Sequence, residues 1–227
     1  MAKTMTELKD PLTGLPKKAE FDGLLEGALE ASEGDRPVSL ALVDIDRFDD
    51  INQNFGHKKG DEVILDVARA IHQHLAPEAP VLCRIGGDEF AVILANKEKE
   101  AAFLLLEQLR KAVAGPADVP AIASGTTISI GVATYPHDGG TRQEVVRKAD
   151  DALFRAKAAG RNRVALAREE KMVPKTSHFT QGQLERLAVL SKKEGVGEAE
   201  LLREALDDLL KKYQWSRASD APGDVRD

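Results

Sequence analysis

The chain has one cysteine among its 227 residues, Cys83, which lies inside the apolar run Val81-Leu82-Cys83. A lone thiol excludes an internal disulfide framework and fits a reducing compartment. No stretch approaches the ~18 consecutive apolar residues that a membrane-spanning helix needs. The first ten residues lack the apolar segment of a secretory signal. The expected location is the cytoplasm, with no membrane partner. The chain also lacks a basic field: 32 Lys and Arg stand against 38 Asp and Glu, a net charge of −6 at pH 7. Any nucleic-acid binding would therefore be local. A composition that is 42% hydrophobic and 31% charged suits a globular core, and the length suits one ordinary domain plus something smaller.

The rest of the chain is organised around Arg84-Ile85-Gly86-Gly87-Asp88-Glu89-Phe90. Strand-like apolar runs flank these residues, with Phe90-Ala91-Val92-Ile93-Leu94 on the far side. The local expectation is a β-hairpin in which Gly86-Gly87 forms a tight two-residue turn that tolerates positive φ. Asp88 and Glu89 sit oddly there, because Asp is a poor strand former and adjacent like charges repel. Either they are solvated punctuation of a turn, or they serve a cation or a proton.

Upstream, Asp10-Pro11-Leu12-Thr13-Gly14-Leu15-Pro16 is turn-rich. Residues 17–31 carry Phe21, Leu24, Leu25, Ala28 and Leu29 at helical spacing. Val38-Ser39-Leu40-Ala41-Leu42-Val43 is a buried strand that runs into Asp44-Ile45-Asp46, and carboxylates at the exit of a buried strand are a common place for an active site. In extended backbone Asp44 and Asp46 share a face, whereas a turn would part them. Residues 56–61 read as a loop with two glycines, and His57 is either an acid-base group or a structural hold on that loop. A helix is expected over 62–75, with Val63, Ile64, Val67, Ala68, Ile71 and Leu75 on one face. Further helices are expected over 97–114 and 141–159, the second capped by Gly160, and strands over 126–134 and 164–166.

That order contains a β-α-β-β-α-β kernel and predicts a ferredoxin-like α+β sandwich, with helices on one face of a mostly antiparallel sheet. The exit of the first strand and the tip of the hairpin then lie side by side, so Asp44 and Asp88 should meet. Two converging carboxylates suit a hard divalent cation, Mg²⁺ or Mn²⁺.

Five blocks carry a family resemblance. Gly86-Gly87-Asp88-Glu89-Phe90 is the signature of the GGDEF family, the diguanylate cyclases. Asp10-Pro11-Leu12-Thr13-Gly14-Leu15-Pro16 resembles the family's opening motif. Asp44-Ile45-Asp46-Arg47-Phe48, with Ile51-Asn52 and Phe55-Gly56-His57-Lys58-Lys59-Gly60-Asp61, resembles its second block. Ser129-Ile130-Gly131-Val132-Ala133 and residues 149–162 resemble the last two. The resemblance implies a fold similar to nucleotidyl cyclases and polymerase palms, and condensation of two GTP into cyclic di-GMP. It implies a metal held by Asp44, Asp88 and the Ile45 carbonyl, and Glu89 as an essential acid in metal binding or activation of the 3′-hydroxyl. Phosphates would be held by Lys157 and Arg161, spaced i, i+4 on the end of one helix, and near Phe48. Asn52 and Asp61 fall on the family's guanine-binding pair, and a carboxylate matches the paired donors of guanine.

The chain departs from the family in three places. Asp49 stands where a Lys that helps hold phosphate is common. Lys17-Lys18 replaces a frequent Asn-Arg. The Arg-x-x-Asp product-binding motif is replaced by Pro77-Glu78-Ala79-Pro80, so product feedback through that site should be absent.

Residues 175–180 read as a short strand, 181–194 and 198–213 as helices, and Gly195-Val196-Gly197 as the break between them. This resembles a ribbon-helix-helix module, which is too small to fold alone and would form an intertwined dimer. Alternate strand residues in that family read the major groove, here Thr176 and His178. Residues 174–227 hold nine Lys/Arg against ten Asp/Glu, net −1, which is weak for DNA. Pure dimerisation is the rival reading. The expected organisation is a lead-in over 1–9, the cyclase domain over 10–168, a linker over 169–174, the dimerisation module over 175–215 and a disordered tail over 216–227. The expected enzyme is a homodimeric diguanylate cyclase. The alternative is a DNA-binding regulator whose GGDEF domain senses GTP or cyclic di-GMP.

Overall fold

In the computed structural model, which describes residues 9–32, 36–115, 125–168 and 176–212, β1 (Val38–Ile45) is buried at every position. A strand with no exposed face needs cover on both sides. It sits in the middle of a five-stranded sheet, flanked by β3 (Glu89–Ala95) and β4 (Ile128–Tyr135), with β2 (Val81–Arg84) and β5 (Val164–Leu166) at the edges. β1 pairs antiparallel with β3 and β4, and β2 with β3, so the expected antiparallel centre is borne out. β5 joins β4 in parallel, which makes the sheet mixed.

Helices lie on both faces, not on the one expected. On one face, Ala41, Val43, Phe90, Val92, Leu94, Ile128, Ile130 and Val132 pack with α3 (His57–Leu75) and α4 (Lys99–Ala114). On the other, Leu40, Leu42, Ala91, Ile93 and Ala133 pack with α1 (Lys18–Glu30) and α5 (Arg142–Ala158). Fully buried side chains such as Phe90, Leu40 and Ile71 each contribute roughly 1.5–3 kcal/mol by leaving water. α5 begins on a capping box between Thr141 and Glu144. Its fit onto β4 depends on Gly131, where a Cβ would lie 2.1 Å from the Ala149 carbonyl and 2.2 Å from the Leu153 amide.

The chain divides into two compact units, Met1–Glu169 and Glu170–Asp227. In the second, residues 176–180 form no strand, and Lys175 lies outside the described residues. α6 (Gln181–Glu194) starts on a Thr180–Gln183 capping box and ends at Gly195, whose φ is +69°. α7 (Glu198–Lys212) follows. None of the unit's described side chains is buried, and Leu184, Val189, Leu190, Leu202, Leu206 and Leu209 are exposed. Such a pair of amphipathic helices has no core of its own. The expected linker over 169–174 and tail over 216–227 fall outside the described residues.

Candidate active site

Asp44 is the next-to-last residue of β1 and lies directly across the ladder from Glu89, the first residue of β3. Opposed residues of an antiparallel pair project to the same face. Asp88 adjoins them, since the Ile45 amide donates to the Asp88 carbonyl at 3.3 Å. Asp88, the expected partner of Asp44, thus adjoins it through the backbone, and Glu89 is the residue in register with Asp44. Burial pushes the Asp44 carboxyl up to about 6, Asp88 and Glu89 push it the same way, and Lys157 opposes them. Lys157, in the last turn of α5, donates to Asp44 Oδ2 at 2.5 Å. Asp44 thus pairs with one ammonium while feeling the charges of Asp88 and Glu89, and hard oxygen donors with excess negative charge suit Mg²⁺ or Mn²⁺. Among the described residues no three His, Cys, Asp or Glu side chains gather about one point. A cation here would draw on Asp44, Asp88, the Ile45 carbonyl and oxygens of its ligand.

The hairpin differs from the tight turn expected. Residues 85–88 separate β2 from β3, and the Ile85 amide donates to the Glu89 carbonyl at 2.9 Å. Neither Gly86 nor Gly87 has a positive φ. A Cβ on Gly86 would lie 2.6 Å from Glu89 Oε2, so this glycine makes room for the Glu89 carboxylate, while the space beside Gly87 is open. Arg84 fastens the loop: its guanidinium donates to the Gly87 carbonyl from Nη2 at 2.6 Å and Nε at 3.1 Å, and to Asp10 Oδ1 from Nη1 at 2.9 Å. Asp10 in turn accepts from the Thr13 amide and hydroxyl. The opening motif is therefore a brace for the signature loop, a connection that sequence spacing did not show.

Lys157 and Arg161 do not share a helix face as expected. α5 stops at Ala158 because Gly160 takes φ +111°, with its amide bonded to the Lys157 carbonyl and the Arg161 amide bonded to that of Ala156. That pair of bonds is the Schellman ending of a helix. Arg161 (φ +64°) and Asn162 (φ +46°) lie in the loop beyond it. The exposed Arg161 guanidinium has no hydrogen-bond or ion-pair partner among the described residues. Asp46 lies beneath this loop, accepting from Ser129, Thr127 and the Asn162 amide. Sequence reasoning gave Asp46 no role; its two-residue offset from Asp44 was the available signal.

The residues expected to bind guanine come together through a helix pair. Residues 57–61 are the first turn of α3 and not a loop; the break is Gly56 alone, at φ +82°. His57 is the exposed first residue of α3, so it holds no loop. Asn52 lies on α2 (Phe48–Phe55) and Asp61 on the first turn of α3. At Gly60, a Cβ would lie 2.1 Å from Asn52 Oδ1 and 3.1 Å from Phe48 Cζ, so the glycine lets the two helices close. Asn52 Oδ1 is buried with no hydrogen-bond partner. Burying an acceptor unpaired costs about 1–3 kcal/mol. The Phe48 ring packs inward on the core, so only its backbone amide, at the start of α2, is placed to meet a phosphate. Asp49 is exposed in that first turn, where an acid suits the helix dipole. Thr176 and His178 are both exposed in the irregular segment before α6.

Comparison with known proteins follows the same division. The family model for the diguanylate cyclase GGDEF domain matches residues 7–163, and that for the ribbon-helix-helix domain matches residues 171–214. The diguanylate cyclase DgcP of Pseudomonas aeruginosa is 39% identical over 163 residues, covering 70% of this chain and 24% of that protein. The response regulator PleD of Caulobacter vibrioides is 38% identical over 162 residues, covering 68% of this chain and 35% of that protein. The match thus spans only 24% to 35% of these curated relatives' length. The GGDEF domain of DgcB from Caulobacter crescentus, solved with c-di-GMP, superposes with a TM-score of 0.63 at 34% identity, covering 74% of this chain and 97% of that one. The GGDEF domain of TpbB from Pseudomonas aeruginosa gives 0.64 at 32% identity, with 70% and 99% covered.

Proposed function

The chain belongs to the GGDEF family of diguanylate cyclases, and on that premise we propose that it condenses two GTP into cyclic di-GMP with release of two pyrophosphates. The observation that carries this reading is the direct opposition of Asp44 and Glu89, with Asp88 alongside and Lys157 on the same site. In each half-reaction a 3′-oxygen forms a bond to the α-phosphorus of the other nucleotide, and the bond from that phosphorus to the bridging oxygen of pyrophosphate breaks.

Asp44, Asp88 and the Ile45 carbonyl would hold Mg²⁺ or Mn²⁺, which when bound neutralises triphosphate oxygens and acidifies the hydroxyl. Glu89 stands where it can take the hydroxyl proton or orient the group that does. Lys157 and Arg161 neutralise the outgoing phosphates, and the Phe48 amide at the start of α2 donates to a phosphate oxygen. The unpaired Asn52 oxygen and the Asp61 carboxylate accept from the guanine edge, which selects GTP over ATP.

Each site holds one GTP, so two chains must face one another. The second unit, with its ribbon-helix-helix match and exposed leucines, supplies a homodimer and a high effective concentration of the facing sites. A second reading, DNA binding through Thr176 and His178, rests on the same match and is opposed by the absence of a net positive charge. No described helix is long and apolar enough to cross a membrane, and a GTP-consuming domain of this kind belongs in the cytoplasm. Product feedback through an Arg-x-x-Asp site is absent.

The test is to supply GTP or ATP with Mg²⁺ to the full chain over a range of protein concentrations. Consumption of GTP alone, with a specific activity that rises with concentration until dimers saturate, supports the reading. Equal consumption of ATP contradicts the guanine assignment, and a specific activity independent of concentration contradicts the dimer.

A further inference from the structure

Asp46 is almost completely buried, yet both of its carboxylate oxygens are committed. Oδ1 accepts from the Ser129 hydroxyl at 2.6 Å, and Oδ2 accepts from the Thr127 hydroxyl at 2.7 Å and the Asn162 amide at 2.9 Å. Its own amide donates to the Thr127 carbonyl at 2.9 Å. Engaged this way, Asp46 has little left to offer a metal, although it lies two residues from Asp44. It instead joins the exit of β1, the start of β4 and the loop after α5.

That loop needs holding. Gly160, Arg161 and Asn162 have φ of +111°, +64° and +46°, and side-chain-bearing residues stay in the left-handed region only where their surroundings fix them. Asn162 is gripped twice: its amide by Asp46, and its Oδ1 by Arg110 Nη1 at 2.7 Å. Arg110 is itself fixed by Glu107, a neighbour on α4 that also accepts from the Val164 amide at 3.2 Å. Between these anchors stands Arg161, with its guanidinium unpartnered among the described residues.

We propose that Asp46 is a positioning residue of the nucleotide site: its carboxylate holds the 160–162 loop so that Arg161 faces the triphosphate. The inference rests on the reading of Arg161 as a phosphate ligand. Asp46 itself touches no substrate and acts through the Asn162 amide.

The probe is 3′-deoxy-GTP, which lacks the attacking hydroxyl, so its dissociation constant is read without turnover, in the full chain with Mg²⁺. Asp46→Ala removes both carboxylate oxygens, including the one that accepts the Asn162 amide. It should weaken binding about tenfold, as should Arg161→Ala, and the double variant should be no weaker than either alone, because the two act as one unit. Arg110→Ala loosens the same loop from α4 and should weaken binding in the same direction, which keeps the test available if the Asp46 variant does not fold. If Arg161→Ala weakens binding while Asp46→Ala and Arg110→Ala leave it unchanged, or if the Asp46 and Arg161 losses add in full, Asp46 does not work through Arg161 and the proposal falls. If Arg161→Ala binds as tightly as wild type, the phosphate reading of Arg161 falls and the proposal with it.

Discussion

Arg84 Nη1 lies 2.9 Å from Asp10 Oδ1, across 74 positions of sequence, with both side chains largely buried. The same guanidinium holds the Gly87 carbonyl, so one residue ties the opening motif to the signature loop. Arg84→Ala should cost about 1–3 kcal/mol, because a buried carboxylate and a carbonyl lose their donors together. Arg84→Lys should recover only part, since a single ammonium cannot reproduce the forked contact. Urea unfolding checks both. Burial alone would raise the Asp10 carboxyl, but the Thr13 hydroxyl, Arg84 and the Thr13 amide outweigh it and leave the group below its ordinary value. Glu107 is lowered against burial in the same way by Arg110 and the Val164 amide. A carboxyl lowered on folding adds stability above its unfolded value of about 4, and that contribution is lost as pH falls through the folded value. Wild-type stability should therefore decline on the acid side of about pH 4, and Arg84→Ala should decline less steeply because it has less to lose.

Gly60 and Gly131 should respond oppositely to the same substitution. At Gly131 a new Cβ meets backbone of α5 at 2.1 and 2.2 Å, which cannot move without separating helix from sheet. Gly131→Ala should cost at least about 3 kcal/mol in urea unfolding. At Gly60 the nearest atom is the end of the Asn52 side chain. That group can swing aside, and alanine favours a helix by up to about 1 kcal/mol. Gly60→Ala should leave stability unchanged or slightly raised while raising KM for GTP about tenfold, the loss of roughly one hydrogen-bonding group.

Cys83 should be inert in the folded protein. Burial, with a smaller push from Glu20, raises its thiol to about 11, and the side chain is fully enclosed. A thiolate is the reactive form, so a disulfide reagent at pH 8 should label the chain only after denaturant is added. Rapid labelling of native protein would contradict the packing of α1 on β2.

Cyclic di-GMP at micromolar concentration should leave the initial rate nearly unchanged. Pro77 and Pro80 stand where the family's product-binding charges are common, and Glu78, the one charge in that turn, is paired with Lys97. Strong non-competitive inhibition would sink this expectation.

Much of the fold was legible. The alternation of strands and helices gave the sandwich, and Thr141 and Gly160 marked the ends of α5. The two-sided cover of the sheet was also written in the apolar run from Leu40 to Val43, which shows no alternation. Register was less legible. The Asp44–Glu89 pairing belongs to the β1–β3 ladder; in the β2–β3 ladder a two-residue turn at Gly86-Gly87 would set Arg84 opposite Glu89, whereas the longer loop pairs Arg84 with Phe90. Loop length decides this, and a shift of one residue exchanges the faces. The i, i+4 spacing of Lys157 and Arg161 gives a shared face only on a helix that continues past Gly160, and the Gly160 cap that the sequence also showed ends α5 before Arg161. Asp46, Ser129 and Asn162 lie in three separate sequence blocks and meet only in three dimensions. What covers the leucines of α6 and α7 is not a property of one chain's sequence.

The most direct measurement quantifies cyclic di-GMP and pyrophosphate together after incubation with GTP and Mg²⁺, for wild type and for Glu89→Gln. Wild type should yield two pyrophosphates for each cyclic di-GMP, and the variant neither product while it still binds 3′-deoxy-GTP. Absence of cyclic di-GMP from folded, dimeric wild type, or an undiminished yield from Glu89→Gln, would contradict it.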